Sequence, residues 1–165
     1  DTKIAGIAHE RGKAAIVAVN KWDSIEKDDK TMNKYLKDIG NELAYMPYAP
    51  RVFISAHTGQ RVNRLLELIK TVNENHALRI STGVLNEVLI EATAMQQPPA
   101  DKGRQLRLYY MTQVSVKPPT FVIFVNEREL FHFSYRRYIE NQLREAFGFV
   151  GTPIHFIVRE KGDKD

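Results

Sequence analysis

Apolar and polar positions along the first 80 residues predict alternating helices and strands. Residues 14–19 are apolar at every position, which is typical of a strand covered on both faces. A second strand is predicted at residues 51–54, after Pro47 and Pro50 end the intervening segment. A strand–helix–strand order predicts parallel strands with a right-handed connection.

Three helices are predicted around these strands. The first covers residues 2–11 and ends before Gly12. Asp28 is placed to cap the second helix, and the third frays near residues 73–77. Apolar residues with helical spacing form one stripe on the second helix and one on the third: Met32, Tyr35, Leu36, Ile39 and Leu43, then Val62, Leu65, Leu66, Ile69 and Val72.

The pattern changes near residue 81 to helix, two strands, helix, strand. An amphipathic helix over residues 84–95 ends at Pro98-Pro99. Alternation over residues 106–117 predicts a strand with one buried face, and residues 121–125 predict its antiparallel neighbour. Ser134 is placed to cap a helix that ends at Gly148, and a last strand is predicted at residues 154–158. The charged residues 161–165 predict a loose tail.

Composition excludes several classes of protein. Hydrophobic content of 43% and charged content of 27% are those of an ordinary globular protein. No apolar run approaches the roughly 20 residues of a membrane span. With no secretory signal and no cysteine, we expect a cytoplasmic protein without disulfides. The five histidines lack metal-ligand spacing, so no metal site is predicted, and the net charge of +4 is spread thinly along the chain.

Candidate chemistry begins where the first strand ends, at Asn20, Lys21, Trp22 and Asp23. Guanine presents a ring N–H and an exocyclic amine side by side, and one carboxylate, that of Asp23, accepts from both. Asn20 is placed to brace the loop, and the stem of Lys21 can lie along the base. We interpret Trp22 as a hydrophobic lid, with stacking on the base as the alternative.

The second strand ends in a matching polar loop. Ser55-Ala56 follows Asp23 by 32 residues, and the carboxyl ends of parallel strands are where such sheets bind ligands. The Ala56 N–H is placed to donate to the guanine carbonyl oxygen, and Ser55 to hold the Asp23 carboxylate. His57 lies near this pocket, where packing or hydrogen bonding is favoured over catalysis.

These two loops resemble the fourth and fifth guanine-nucleotide motifs of P-loop GTPases. The chain contains no Gly-x-x-x-x-Gly-Lys-Ser/Thr loop and no Asp-x-x-Gly. The resemblance therefore implies an α/β fold: residues 1–80 as the C-terminal part of a GTPase domain, with a partial doubly wound parallel sheet. It implies binding of GTP or GDP with Mg²⁺ in the intact protein. No catalytic residue and no Mg²⁺ ligand are predicted in this chain.

The second half resembles the α+β KH-like domain (α-β-β-α-β) of the bacterial double-GTPase family called EngA or Der. The resemblance is carried by residues 113–122, 124–126, 132–135 and 147–153. It implies two consecutive GTPase domains, a KH-like domain at residues 81–160, and a role in assembling the large ribosomal subunit with its rRNA. The alternatives are a single-GTPase RNA-binding protein of the Era kind, or a nucleotide-independent RNA-binding or scaffolding fragment.

RNA-binding KH domains hold the nucleic-acid backbone with a Gly-x-x-Gly loop between two helices. The one match, Gly148 to Gly151, lies between a helix and a strand, where a helix stop and packed turn are favoured. RNA or ribosome contacts are instead predicted at Arg107, Lys117, Arg136 and Arg137. Docking of the KH-like domain on a GTPase domain of the same protein is the alternative.

Overall fold

The computed structural model describes residues 1–25, 28 and 30–163, and these form two compact units. The first unit contains Asp1–Ala77 together with Val150–Pro153. The second contains Leu78–Phe149 and the chain from Ile154 onwards. The division thus falls close to the boundary predicted at residue 80, and both units combine helices with a sheet.

The first unit contains a two-stranded parallel sheet. Its elements are α1 (Thr2–Glu10), β1 (Val17–Val19), a 3-10 turn (Trp22–Ser24), α2 (Thr31–Glu42), β2 (Arg51–Phe53) and α3 (Val62–His76). Val17 pairs with Arg51 and Val19 with Phe53, in parallel. The order and direction of the two strands are as the sequence pattern predicts, so both strands end at the same edge of the sheet.

Three sequence-based expectations for this unit were wrong. Ala18 is exposed, so β1 is not covered on both faces, and in the described residues it pairs with β2 alone. The cap of α2 is Lys30. Asp28 instead accepts hydrogen bonds from the Lys30 N–H and the Thr31 hydroxyl, which lower the pKa of its carboxyl below the usual value.

The third wrong expectation concerns the end of α3. This helix continues to His76 and does not fray near residue 73. Its last turn has hydrogen-bond partners that the local sequence does not reveal. Asn75 Nδ2 donates to the Val150 carbonyl at 3.1 Å, and His76 Nδ1 lies 2.8 Å from Thr152 Oγ1. These bonds hold a helix end that would otherwise be open to solvent.

Residues Val150–Pro153 belong to the first unit, although their sequence position lies in the predicted KH-like range. The Gly151 N–H donates to the Tyr48 carbonyl at 2.9 Å, and the Gly151 carbonyl accepts from Ala15 N–H at 2.8 Å. Gly151 has φ +84°, and a Cβ added there would lie 2.3 Å from Val72 Cγ2. Glycine is therefore required both by the backbone conformation and by the space available.

The second unit is built around a three-stranded sheet in the order β5–β6–β7. Its elements are α4 (Thr82–Met95), β3 (Ala100–Asp101), β4 (Arg104–Gln105), β5 (Leu108–Ser115), β6 (Thr120–Val125), a 3-10 turn (Arg128–Leu130), α5 (Phe133–Phe147) and β7 (His155–Glu160). β5 and β6 are antiparallel, and β6 and β7 are parallel. The predicted order is present, and the short β3–β4 hairpin lies between α4 and β5, where no strand was predicted.

One hydrophobic core holds the second unit together. It joins the buried faces of α4 and α5 to the sheet and includes Leu85, Leu89, Met111, Phe121, Ile123, Ile139, Leu143 and Phe149. The apolar residues of α4 recur at helical spacing, and those of β5 at alternate positions. Each element therefore has one face to bury, and burial of that area is the main stabilising contribution.

The start of α5 and the end of the chain differ from expectation. The cap of α5 is His132, and Ser134 lies inside the helix. β7 continues to Glu160, and Asp163 forms an ion pair with Arg128, so the tail is held as far as Asp163. Residues 164 and 165 lie outside the described residues. Among the helices described, none combines the length and apolarity needed to cross a membrane.

Candidate guanine-recognition site and cationic surface

Two loops meet at the carboxyl ends of β1 and β2. The Ile54 N–H donates to the Val19 carbonyl at 2.8 Å, and the Trp22 N–H donates to the Ile54 carbonyl at 3.1 Å. These bonds continue the parallel pairing beyond the strands. They bring Asn20 and Ala56 together, and Asn20 Oδ1 accepts from the Ala56 N–H at 3.0 Å.

The Ala56 amide is the group predicted to donate to the guanine carbonyl oxygen. In the structure it donates to the side chain of Asn20, and both residues are exposed. A carbonyl oxygen of a base would offer the same kind of acceptor as the Asn20 carboxamide oxygen. A ligand at this position would therefore compete with, or share, the bond to Asn20.

Ser55 is completely buried and shapes the second loop. Its hydroxyl accepts from the Thr58 N–H at 3.1 Å, and its own N–H donates to the Gln60 carbonyl at 3.0 Å. Thr58 and Gln60 thus support the loop, a role that sequence reasoning missed. Support of the Asp23 carboxylate by Ser55 stays a prediction.

The first loop turns sharply at Lys21, which has φ +58° and is exposed. The Lys21 carbonyl accepts from both the backbone N–H and the hydroxyl of Ser24, at 3.1 and 2.8 Å. Asp23 lies in the 3-10 turn that these bonds close, and its side chain is exposed. The turn presents a carboxylate at the sheet edge where Ala56 presents an N–H.

Trp22 anchors the first loop by packing its ring in the interior of the first unit. It is 2% exposed, its ring lies 4.4 Å from that of Phe53, and Tyr35 approaches edge-on at 5.5 Å. Packing of this kind fixes the loop, and the buried ring is not presented for stacking on a ligand. His57, by contrast, is exposed and stays without an assigned role.

The donor and acceptor set at this edge fits the guanine base. An exposed carboxylate, a side-chain amide and a backbone N–H stand at the ends of neighbouring parallel strands, where open α/β sheets bind ligands. A carboxylate matches two adjacent N–H donors, and an N–H matches a carbonyl oxygen. Among the described residues, no group of three or more His, Asp or Glu could hold a metal ion.

The four predicted RNA contacts do not form one cluster. Arg107 lies at one end of the β5–β6 pair, where its N–H donates to Asn126 Oδ1 at 2.9 Å. Lys117 lies beyond the opposite end, after the Ser115–Thr120 pairing. The strand β5 lies between Arg107 and Lys117 and separates them by its own length. Arg136 and Arg137 are adjacent in α5.

Arg136 and Arg137 each lie over an aromatic ring. The Arg136 guanidinium is 5.8 Å from the centre of the Phe131 ring, and that of Arg137 is 5.5 Å from the centre of the Phe133 ring. Phe131 is buried, whereas Phe133 is 74% exposed. Sequence reasoning named the two arginines and missed Phe133, although an aromatic residue four positions before an arginine is a readable signal on a helix.

The Gly-x-x-Gly segment serves packing. Gly148 ends α5 with φ +88°, and Phe149 is completely buried in the core of the second unit. Gly151 is buried in the first unit. A backbone grip on nucleic acid requires an exposed loop, so this segment is unsuited to it.

Comparison with known proteins shows similarity along the whole chain. Residues 79–159 match the family described as the KH-domain-like region of EngA bacterial GTPase enzymes, C-terminal. A protein named GTPase Der from Lachnoclostridium phytofermentans is 65% identical over 165 residues, all of this chain and 37% of the relative. GTPase Der of Acetivibrio thermocellus is 63% identical over 161 residues, 98% of this chain and 37% of the relative.

A third relative, GTPase Der of Agathobacter rectalis, is 59% identical over all 165 residues and is likewise covered to 37% of its length. The chain thus spans a little over a third of the curated relatives it matches, corresponding to their carboxyl-terminal part.

Proposed function

Because residues 79–159 belong to the family of KH-like domains at the carboxyl terminus of EngA bacterial GTPases, we propose that the chain serves a GTP-binding ribosome-assembly factor. The intact protein would bind and hydrolyse GTP and act on the large ribosomal subunit. This chain supplies guanine recognition and the KH-like module. The proposal is supported by relatives named GTPase Der that are 59–65% identical to it.

The single observation that carries guanine recognition is the Asn20–Ala56 hydrogen bond of 3.0 Å. It joins the two loops that end β1 and β2, on which the exposed Asp23 also lies. We assign Asp23 to the paired N–H donors of guanine, Ala56 to its carbonyl oxygen, and Asn20 and Lys21 to the flanks of the base. Ser55 and Trp22 hold the two loops from within.

The chemistry of hydrolysis lies outside these residues. The chain contains no phosphate-binding loop, so the phosphates of GTP and the Mg²⁺ ion would be bound by other parts of the intact protein. We propose that β1 and β2 belong to a doubly wound parallel sheet that those parts complete. The parallel pairing of β1 with β2 supports this, since parallel strands occur almost only in sheets that helices cover.

The KH-like module would make binding to the ribosome depend on whether GTP or GDP is bound. Its partners would be rRNA of the large subunit and, within the same protein, the GTPase domains. A nucleotide-dependent change in those domains would shift the population of the module that is free to bind rRNA. Arg136 and Arg137 support an electrostatic contact with RNA, because both cations lie on one helix with exposed or half-buried side chains.

Guanine recognition is tested by calorimetric titration of the full-length protein with GDP and with IDP, whose base lacks the exocyclic amine. The wild-type protein should bind GDP at two sites, one in each GTPase domain, and IDP about tenfold more weakly, because one bond to the carboxylate is lost. The Asp23→Ala variant should retain one GDP site. A variant that still binds GDP at two unaltered sites would contradict the proposal.

A further inference from the structure

We propose that α5 presents a binding surface for single-stranded RNA, in which the Phe133 ring stacks on an unpaired base while Arg136 and Arg137 contact the adjacent phosphates. This inference rests on the ribosomal function proposed above, for which it names the ligand class and the residues of contact. We call these three residues the Phe133 surface.

Phe133 is the first point of evidence. It is the first residue of α5, and 74% of its side chain is exposed, although the helix has a buried face that includes Tyr135, Ile139 and Leu143. Arg137 lies one turn further along, with its guanidinium 5.5 Å from the centre of the Phe133 ring. An exposed ring next to a cation matches what an unpaired nucleotide offers, a flat base and a phosphate.

Arg136 supplies a second cation on the same helix, three positions after Phe133. It is half-buried, stacks over Phe131, and lines a groove of about 490 Å³ together with Thr120, His155 and Ile157. In the described part of the chain, neither Arg136 nor Arg137 forms an ion pair with a carboxylate. Glu140 also lines the groove, but its carboxylate lies 3.6 Å from Arg144. Two positive charges thus remain available to phosphates.

Three other candidate sites in the described part of the second unit offer less of this combination. The Gly-x-x-Gly segment is committed to packing, and Lys117 lies in the turn between β5 and β6, where Val116 and Pro118 flank it. A second groove, lined by Ile90, Leu106 and Arg107, has a single cation. An aromatic platform with two neighbouring cations favours single-stranded RNA over a protein partner, because bases stack whatever their sequence.

The experiment measures fluorescence anisotropy of a fluorescein-labelled oligouridylate with the full-length protein at several KCl concentrations. We expect Phe133→Ala to weaken binding on the order of tenfold with the salt slope unchanged, because stacking carries no charge. Phe133→Tyr, which keeps the ring, should bind like the wild type. Arg137→Gln should weaken binding. It should also reduce the slope of log affinity against log salt concentration by about 0.7, the value for one phosphate contact of a single strand.

Lys102→Gln is the matched control, since it removes an exposed cation of the same unit from the turn between β3 and β4 and should change the affinity little. Thermal unfolding of each variant checks that it is folded. Phe133→Ala should unfold at the wild-type temperature, because the Phe133 side chain is exposed and contributes little to the core. Wild-type affinity in Phe133→Ala would overturn the inference. So would binding of the large subunit without binding of the oligouridylate, which would leave the proposed function intact. If neither is bound, the ribosomal function fails as well.

Discussion

Asn20 and Ala56 are 36 positions apart in the chain, and a hydrogen bond of 3.0 Å from the Ala56 N–H to Asn20 Oδ1 joins them. The bond couples the two loops that we propose to bind neighbouring edges of the base. The Asn20 side chain therefore has a structural task in the ligand-free chain, beyond any contact with the base itself.

Asn20→Ala should remove the hydrogen bond that ties the Ala56 N–H of the second loop to the first loop. A hydrogen bond of this kind contributes about 1 kcal/mol, so the Ala56 amide should exchange with deuterium roughly fivefold faster. Amide-resolved hydrogen exchange measures this directly. Asn126→Ala is the control, because Asn126 Oδ1 accepts from the Arg107 N–H in the same way and its loss should leave Ala56 unchanged. Equal Ala56 rates in wild type and Asn20→Ala would show that the bond is unimportant.

Asp23→Asn should shift nucleotide preference from guanine toward xanthine. The new side-chain amide presents a donor where guanine also presents one, whereas xanthine presents a carbonyl oxygen there. Affinity of the full-length protein for GDP at this site should fall about tenfold or more, and that for XDP should rise. Competition between the two nucleotides measures the change, and unaltered GDP affinity would remove Asp23 from the site.

Gly151→Ala should destabilise the first unit. The new Cβ would lie 2.3 Å from Val72, at a backbone φ of +84°. Overpacking and strain together should cost about 2–4 kcal/mol in the free energy of unfolding. Urea denaturation measures the free energies of unfolding of Gly151→Ala and of Gly148→Ala. At Gly148 φ is +88°, but no atom lies within 4 Å of the added Cβ. A cost no greater than that of Gly148→Ala would mean that Val72 moves aside freely.

Tyr135 should make the stability of the second unit fall at high pH. Burial, and to a lesser extent the neighbouring Tyr138, raises the pKa of its hydroxyl from 10.0 to about 12. Between these values the unfolded chain loses a proton that the folded chain keeps. The stabilisation is therefore complete below pH 10 and is lost as pH rises through this interval.

The measurement is urea denaturation at a series of pH values from neutral to about 12. Tyr135→Phe should flatten the decline, since phenylalanine has no proton to lose. Tyr109→Phe removes the hydroxyl of a largely exposed tyrosine and should leave the decline as it is. An equal decline in wild type and Tyr135→Phe would assign it to other groups.

Local pattern was sufficient for the parallel strands β1 and β2 and for the order of elements in the second unit. It failed for the cap of α5 and for the end of α3. His132 rather than Ser134 caps α5, because the preceding 3-10 turn ends at Leu130 and the His132 carbonyl already accepts from the Arg136 N–H. α3 keeps its last turn because Asn75 and His76 bond to residues more than 70 positions away.

The proposed guanine motif could be located from the sequence alone, because both of its loops follow apolar strands and carry residue types suited to the base. Their mutual placement depends on pairing between strands, and the bond between Asn20 and Ala56 follows from that pairing. Spacing along the chain could not separate Arg107 from Lys117 in space, since both flank the same strand.

The sequence by itself determined most of the helices and strands and indicated the motifs proposed to bind the base, since periodicity and residue type act over a few neighbouring positions. Only the tertiary structure decided that Val150–Pro153 joins the first unit and that Phe133 stands exposed beside Arg137. Such arrangements depend on contacts between distant residues. Their hydrogen bonds and packing form only when the whole chain is folded.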